Sequence, residues 1–343
     1  MAIKAKTVTQ FNGDFSVVIK HKTADGYDLI EPVVEDGVKW ETDRQGSPGK
    51  LTFKVYQDKN GILNFQEGDA VALKYREDSS SEWNALFTGY VFTKKRNKDG
   101  WIDVTAYDLL RYLKNKATYV YTNKTASEVL KMILEDYKLT VGTVSNTSYV
   151  IGERVEDNQS LFDIIQNALD QTLISTTNLY VLYADSTGVC LKDANDMKLD
   201  VVINNSVAED FDYTSTIDEE TYNEVELYYD NDETNKREYY HAFDQTNMSN
   251  WGRLRLTESV QNPTNAEDRV KKMLEVYNRK QRKLKVSEAF GDYRCRAGAS
   301  VLVDLYLGDI KVSNYMLIEK ATHTFKKDEY RMDLTLGGTT EFV

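Results

Sequence analysis

FQEGDAVALKY, Phe65–Tyr75, and YRCRAGASVLVDLY, Tyr293–Tyr306, open in the same way. Each has a glycine, two further residues and a valine, Gly68 and Val71 in the first stretch and Gly298 and Val301 in the second. Apolar residues then follow at alternate positions. That alternation marks a half-buried strand, and the glycine ahead of it gives the backbone the freedom a tight lead-in needs.

The two stretches lie 230 residues apart, and at that spacing the likeness extends. Leu86-Phe87 matches Met316-Leu317, and IDVTA at Ile102–Ala106 matches MDLTL at Met332–Leu336, with Asp103 on Asp333 and Thr105 on Thr335. The hairpin tips also align, Asp99 beside Glu329. Apolar positions keep their face throughout, which a slip of one residue would destroy. Any two antiparallel meanders can be slid into partial agreement, yet a register without gaps over about forty residues favours two copies of one β-module.

Residues 1–113 read as the first copy. SVVIK, KLTFKVYQ, AVALKY, ALFTGYVF and WIDVTAY alternate with period two, and SPG at Ser47–Gly49, DKNG at Asp58–Gly61 and NKDG at Asn97–Gly100 supply turns. A closed or nearly closed antiparallel barrel is expected. Residues 114–200 change character. TASEVLKMILEDY places Thr125 and Glu128 as a capping box, with Val129, Leu130, Ile133 and Leu134 on one helical face. SLFDIIQNALDQTL follows with Leu161, Ile164, Ile165, Ala168 and Leu169 on one stripe, then a hairpin of LYVLYA and GVCLKDA. This segment reads as a small α+β domain. Residues 201–343 read as the second barrel, starting with NEVELYYD and REYYHAF and interrupted at about 242–285 by a helix capped by Thr264 and Glu267. The fold class is therefore mainly β with α+β insertions.

At 343 residues the chain is long enough for two or three cores, and 23 tyrosines against three prolines suit pleated surfaces. A net charge of −12 argues against general affinity for nucleic acid or anionic membranes. Cys190 and Cys295 are spaced like neither a disulfide framework nor a zinc site, so both read as buried thiols in a reducing compartment. The N-terminus has no apolar signal region, and no apolar run reaches the ~20 residues needed to span a bilayer.

Chemistry is hard to find. His21, His241 and His323 are scattered, with His323 alternating in a strand, and neither a nucleophile elbow nor a phosphate loop occurs. DNDETN, Asp230–Asn235, starts like a calcium loop, but Asn235 stands at the required glycine and Arg237 at a ligand position. The 55 acids leave a glycosidase-type carboxylate pair open.

Charge distribution says more. Glu209–Glu233 holds eleven acids and no Lys or Arg, whereas Arg269–Lys285 holds eight basic residues against Glu275. Two solvated faces would explain this. A sharper reading joins the segments between subunits, with Arg269, Lys271, Lys272, Arg279 and Lys280 facing Asp218, Glu219 and Glu220. A duplicated module also suggests a ring, because a trimer of two-module chains presents six similar modules around one axis.

The succession FQEGDAVALKY, LFTGYVF, IDVTAYDLLRYL, NKTASEVLKMILEDYKL, EDNQSLFDIIQNAL, NPTNAEDRVKKMLEVYNR and YRCRAGASVLVDL resembles the XkdQ/YqbQ-type hub proteins of contractile phage tails and phage-tail-like particles. The wider class is the late-control-D-like baseplate hubs. The resemblance covers nearly the whole chain in order. It implies a homotrimeric torus at the tail tip, a symmetry adaptor between the sixfold tail tube, or a tube-initiator protein, and the threefold central spike protein. Baseplate wedge proteins would contact its periphery. It implies no catalytic residues, cofactor, metal, membrane or specific nucleic acid, with assembly in the host cytoplasm and then a place in the virion or particle. Some relatives carry peptidoglycan-active extensions, and the ending soon after LTLGG leads us to expect none here. The rival function is a tail-associated peptidoglycan hydrolase. Trp40, Trp83, Trp101 and Trp251 are candidate interface anchors or core residues.

Overall fold

A computed structural model describes residues 6–7, 13–57, 63–77, 82–207, 209–231, 234–260, 263, 265–306, 311–327 and 329–337. The DKNG turn, Thr264 and part of DNDETN lie outside the described residues. The chain opens with β1 (Lys6–Thr7), β2 (Gly13–Thr23), β3 (Gly26–Ile30), β4 (Val34–Asp43), β5 (Lys50–Tyr56), β6 (Ala70–Glu77), β7 (Asn84–Arg96) and β8 (Trp101–Tyr107). A 3-10 turn at Leu109–Lys114 leads to β9 (Lys116–Tyr121), β10 (Lys124–Thr125), α1 (Ala126–Asp136), β11 (Val141–Val144), β12 (Val150–Ile151), β13 (Arg154–Ser160), α2 (Leu161–Thr176), β14 (Tyr180–Asp185) and β15 (Gly188–Asp193). Next come β16 (Lys198–Asn204), β17 (Asp210–Thr216), β18 (Glu224–Asn231), β19 (Lys236–Phe243), α3 (Gln245–Trp251), β20 (Arg255–Ser259) and α4 (Ala266–Tyr277). The chain ends with β21 (Gln281–Phe290), β22 (Ser300–Tyr306), β23 (Lys311–Lys326) and β24 (Glu329–Gly337).

The period-two pattern does its expected work. In β5, Leu51, Phe53 and Val55 are buried and the residues between them are not, so one face of the strand builds a core. The same alternation in β6, β8, β22 and β24 yields two apolar cores. One holds Val17, Ile19, Leu51, Leu73, Val91 and Val104, and the other holds Val201, Leu284, Val301, Ile318 and Leu334. Strand order in the first copy is β4-β5-β8-β7-β6-β2-β3, and in the second β17-β21-β24-β23-β22-β16-β1. Five strands therefore correspond: β4 with β17, β5 with β21, β6 with β22, β7 with β23 and β8 with β24.

Gly68 and Gly298 occupy corresponding corners. Both have φ near +90° (90° and 89°), where L-residues are strained, and their amides donate to the carbonyls of Val91 and Ile318, each at 2.8 Å. The register, however, is not free of gaps. Val71 pairs with Gly89 while Val301 pairs with Met316, so the hairpin is three residues shorter in the second copy. Ala106 pairs with Val91 and Leu336 with Ile318, so the next hairpin is three residues longer and the 230-residue spacing returns at β8 and β24. Phe87 thus corresponds to Asn314, not to Leu317, and Leu86 is the extra residue of a bulge in β7, with Ala85 at the place of Ser313. The loop lengths compensate because the tip of a hairpin lies outside the sheet and tolerates insertion. The antiparallel pattern also has exceptions: β16 runs parallel to both β22 and β1.

Strands β17 and β21 pair from Asp210–Ser287 to Thr216–Gln281, so residues 217–280 form the interruption of the second copy. Glu224–Asn231 and Lys236–Phe243, expected as barrel strands ahead of an interruption at 242–285, lie inside it. They form a separate sheet, β19-β18-β20, whose Val225 and Leu227 pack on Val270 and Met273 of α4. Alternation cannot say which sheet a strand joins. The N-cap position of α4 is Asn265, in a left-handed conformation and without a side-chain cap hydrogen bond, while the expected box at Thr264 falls outside the described residues. The box at Thr125 and Glu128 forms, and the expected apolar faces of α1 and α2 are buried with Leu110, Leu113 and Val189 in a further core.

Candidate functional site

In a protein read as an assembly component, the surfaces that join modules are the site. One such surface lies within the chain. β4 adds antiparallel to the outer part of β23, pairing Lys320–Phe325 with Asp43–Val38. This fuses the two copies into one sheet of fourteen strands. Trp40 stacks on His323 with ring centres 4.9 Å apart, and both are buried. His323 Nε2 lies 3.1 Å from the Cys295 carbonyl, and Nδ1 lies 2.9 Å from the Tyr330 hydroxyl. Full burial pushes the imidazole pKa down to about 4, so this histidine is neutral and structural. Charges seal the rim: Arg44 holds Glu319 at 2.6 Å, and Lys320 lies 3.3 Å from Asp43. Of the four tryptophans, Trp40 is thus a core residue of a junction, while Trp83 is exposed and Trp101 and Trp251 are half-buried.

A second junction joins both copies to the α+β segment. The Asp108 carboxylate accepts from the amides of Leu110 and Gly49 at 3.0 and 2.9 Å, while Arg296 donates to the Ala184 carbonyl and lies over the Tyr183 ring. Burial raises the Asp108 carboxyl to about 7 despite those amides and the charge of Arg296. Gly298 touches the same segment, and a Cβ there would sit 2.2 Å from Val181 Cγ1.

The charge segments meet within the chain. Their strands β17 and β21 are neighbours, which sets Asp212 opposite Lys285, and Glu219 forms an ion pair with Lys283. The Glu220 carbonyl accepts from Gln281 Nε2, and the Arg279 carbonyl accepts from Thr221 Oγ1. Lys272 reaches the Ser175 carbonyl near the end of α2. Arg269, Lys271, Lys280 and Asp218 form no ion pair with any described residue. Glu220 and Arg279 also line a cleft of about 660 Å³ with Arg44, Asp170, Glu258 and Tyr277. Burial there raises the Asp170 carboxyl and pushes Tyr277 up to about 12.

Other polar clusters carry no signal in the sequence, because their members are distant in the chain. Glu224, almost fully buried, binds Arg253 through both oxygens and His241 at 2.5 Å, and these partners hold its carboxyl down at about 2. His21 Nδ1 lies 2.7 Å from Asp69 Oδ2, fixing the residue after Gly68. Each histidine is thus placed by a hydrogen-bonding partner. Among the described residues no group of His, Cys, Asp and Glu is arranged to hold a metal, and no helix is long and apolar enough to cross a membrane. Cys190 and Cys295 are free and buried.

A model of the YqbQ-like family matches residues 38–337. The Bacillus subtilis (strain 168) protein YqbQ is 28% identical over 310 residues, covering 88% of this chain and 91% of its own. The phage-like element PBSX protein XkdQ of the same organism is 26% identical, covering 88% and 92%. Among solved structures, the 43 kDa tail protein of prophage MuSo2 from Shewanella oneidensis superposes with a TM-score of 0.65 at 12% identity, covering 94% of this chain and 98% of that one.

Proposed function

From the premise that this chain belongs to the YqbQ-like family, we propose that it is a baseplate hub. Three copies close into a ring, and their six sheet modules join a sixfold tail tube, or a tube initiator, to a threefold central spike. In this reading the modules at 1–113 and 201–343 build the ring, while the α+β segment at 114–200 faces the wedge proteins. The hub works by binding and geometry, without bond-making chemistry, in a particle assembled in the host cytoplasm.

The observation that carries the reading is the internal repeat. Five corresponding strands recur in the same order, with corresponding glycine corners, so one chain supplies two similar modules already joined edge to edge. Large apolar contacts repeated by symmetry give such an assembly its strength. The absolute mass in solution tests this. Light scattering is expected to give three times 39.4 kDa over a wide range of concentration. A stable dimer, or a monomer at every concentration, would overturn it.

A further inference from the structure

Among the described residues the repeat leaves one junction unfilled at each end. Within the chain, β4 of the first module has two neighbours, β5 on one edge and β23 of the second module on the other. Its counterpart β17 has β21 on one edge, and no described strand lies on the other. Among the described residues the complementary slot is likewise without a strand. β23 receives β4 along Lys320–Phe325, on the side of β22 and opposite β24. The corresponding stretch of β7 runs from Thr93, with strand structure to Arg96. It has β8 on one side and no described strand on the other. A bare edge and a bare slot of matching kind are otherwise an invitation to uncontrolled pairing.

Their charges are opposite. β17 and its lead-in carry Glu209, Asp210 and Asp212, with Asp210 and Asp212 exposed. The slot carries the exposed Lys95 and Arg96, followed by Lys98, while Lys94 is turned to the Phe65 carbonyl and ring. At the filled junction the same positions are mixed in sign, with Lys39, Glu41 and Asp43 facing Lys320 and neutral residues.

We infer that β17 of one copy adds antiparallel to the Thr93–Arg96 stretch of β7 in the next copy, in the register that β4 holds on β23. This rests on the ring reading above and specifies how the ring closes. The register follows residue by residue. Lys95 corresponds to Thr322 and Thr214 to Glu41, which are paired within the chain, so Lys95 lies opposite Thr214. Thr93 then faces Thr216, Lys94 faces Ser215, and Arg96 faces Tyr213, where His323 faces Trp40 inside the chain. Asp212 lies one pleat along from Lys95 on the same face, within reach of a long side chain. Edge and slot are different surfaces, so the contact is head-to-tail and closes by rotation. Main-chain hydrogen bonds supply the attraction, and the acidic and basic residues select the register and exclude self-pairing of either surface. Junctions within and between chains then alternate around the axis.

A disulfide tests the register. Opposed Cα atoms of antiparallel strands are about 4.5–5.5 Å apart, inside the range a disulfide spans. The variant Lys95→Cys/Thr214→Cys, oxidised at a concentration where the native chain is assembled, is expected to run as three linked chains on a non-reducing gel. Both native thiols are buried, so each single variant serves as a background. Lys95→Cys/Ser215→Cys, one residue out of register, is expected to link at least tenfold more slowly. A native trimer whose first pair does not link overturns the strand assignment and leaves the ring reading intact. Equal linking by the shifted pair overturns the register. A native chain that never assembles overturns both. Should the cysteine pair misfold, charge reversal gives the same answer: Lys95→Asp and Asp212→Lys are each expected to weaken assembly, and together to restore it. Two singles without effect would contradict the inference.

Discussion

The two glycine corners provide an internally controlled experiment. Gly68 and Gly298 have the same backbone geometry, φ 90° and 89°, and the same amide bond to the neighbouring strand. Their surroundings differ. A Cβ on Gly68 meets nothing within 4 Å, whereas a Cβ on Gly298 meets Val181 Cγ1 at 2.2 Å and Cγ2 at 2.9 Å. Gly68→Ala therefore carries the backbone penalty alone, about 1–2 kcal/mol for an L-residue in left-handed space. Gly298→Ala adds overpacking of roughly 1–3 kcal/mol, since Val181 is itself buried and sits on a strand that cannot retreat. The expected losses are about 1–2 and about 2–5 kcal/mol, read as shifts of the urea midpoint at unchanged slope. Val181→Ala should recover much of the difference in the Gly298→Ala background and none in the Gly68→Ala background, a coupling a double-mutant cycle isolates. Equal losses from the two glycine variants, or no coupling to Val181, would refute the reasoning that the second corner is a packing contact with the α+β segment.

Two further expectations concern buried charge. Asp108 titrates near 7 in the folded protein, held up by burial, against about 3.9 unfolded. The native state therefore binds the extra proton, and this group's contribution to stability falls as pH rises from about 4 to 7. His323, lowered to about 4, acts in the opposite sense, opposing folding as pH falls from about 6.5 to 4. Asp108→Asn keeps an acceptor for Gly49 and Leu110 and removes the first effect. Urea midpoints of that variant should rise between pH 4.5 and 6.5 more steeply than in the native chain, and parallel curves would contradict the assignment. Glu224→Gln weakens charge-assisted bonds to Arg253 and His241 and is expected to destabilise by about 1.5–3 kcal/mol. It should also flatten the native chain's loss of stability as pH falls from about 4.5 to 2, measured by acid titration of circular dichroism.

What the sequence reveals follows from how local each feature is. Strand alternation, the Thr125 capping box and the apolar stripes of α1 and α2 concern neighbours a few residues apart, and they stand in the structure as read. The repeat is legible because Gly68 and Gly298 hold the same positive-φ backbone at matching corners. A constant spacing misplaces β7 against β23, because two hairpins change length by three residues in opposite senses and restore the spacing at β8 and β24. The extent of the interruption, 217–280, was hidden because alternation in β18 and β19 shows that they are strands without showing which sheet they join. Asp108 feels the charge of Arg296, and Glu224 binds Arg253, across long stretches of chain, so no spacing could announce them. The acidic and basic runs were visible, but much of their complementarity is spent within the chain, between β17 and β21. The basic stretch on β7 matters only once the strand pairing shows that no described strand covers its edge.

The central claim is that two modules per chain make a ring of six from three copies. Electron microscopy of the native assembly viewed down its axis tests it most directly. The expected image has six similar lobes around an opening, with three peripheral features that lower the symmetry to threefold. A particle with twofold symmetry, or three lobes with no sixfold component, would contradict the account.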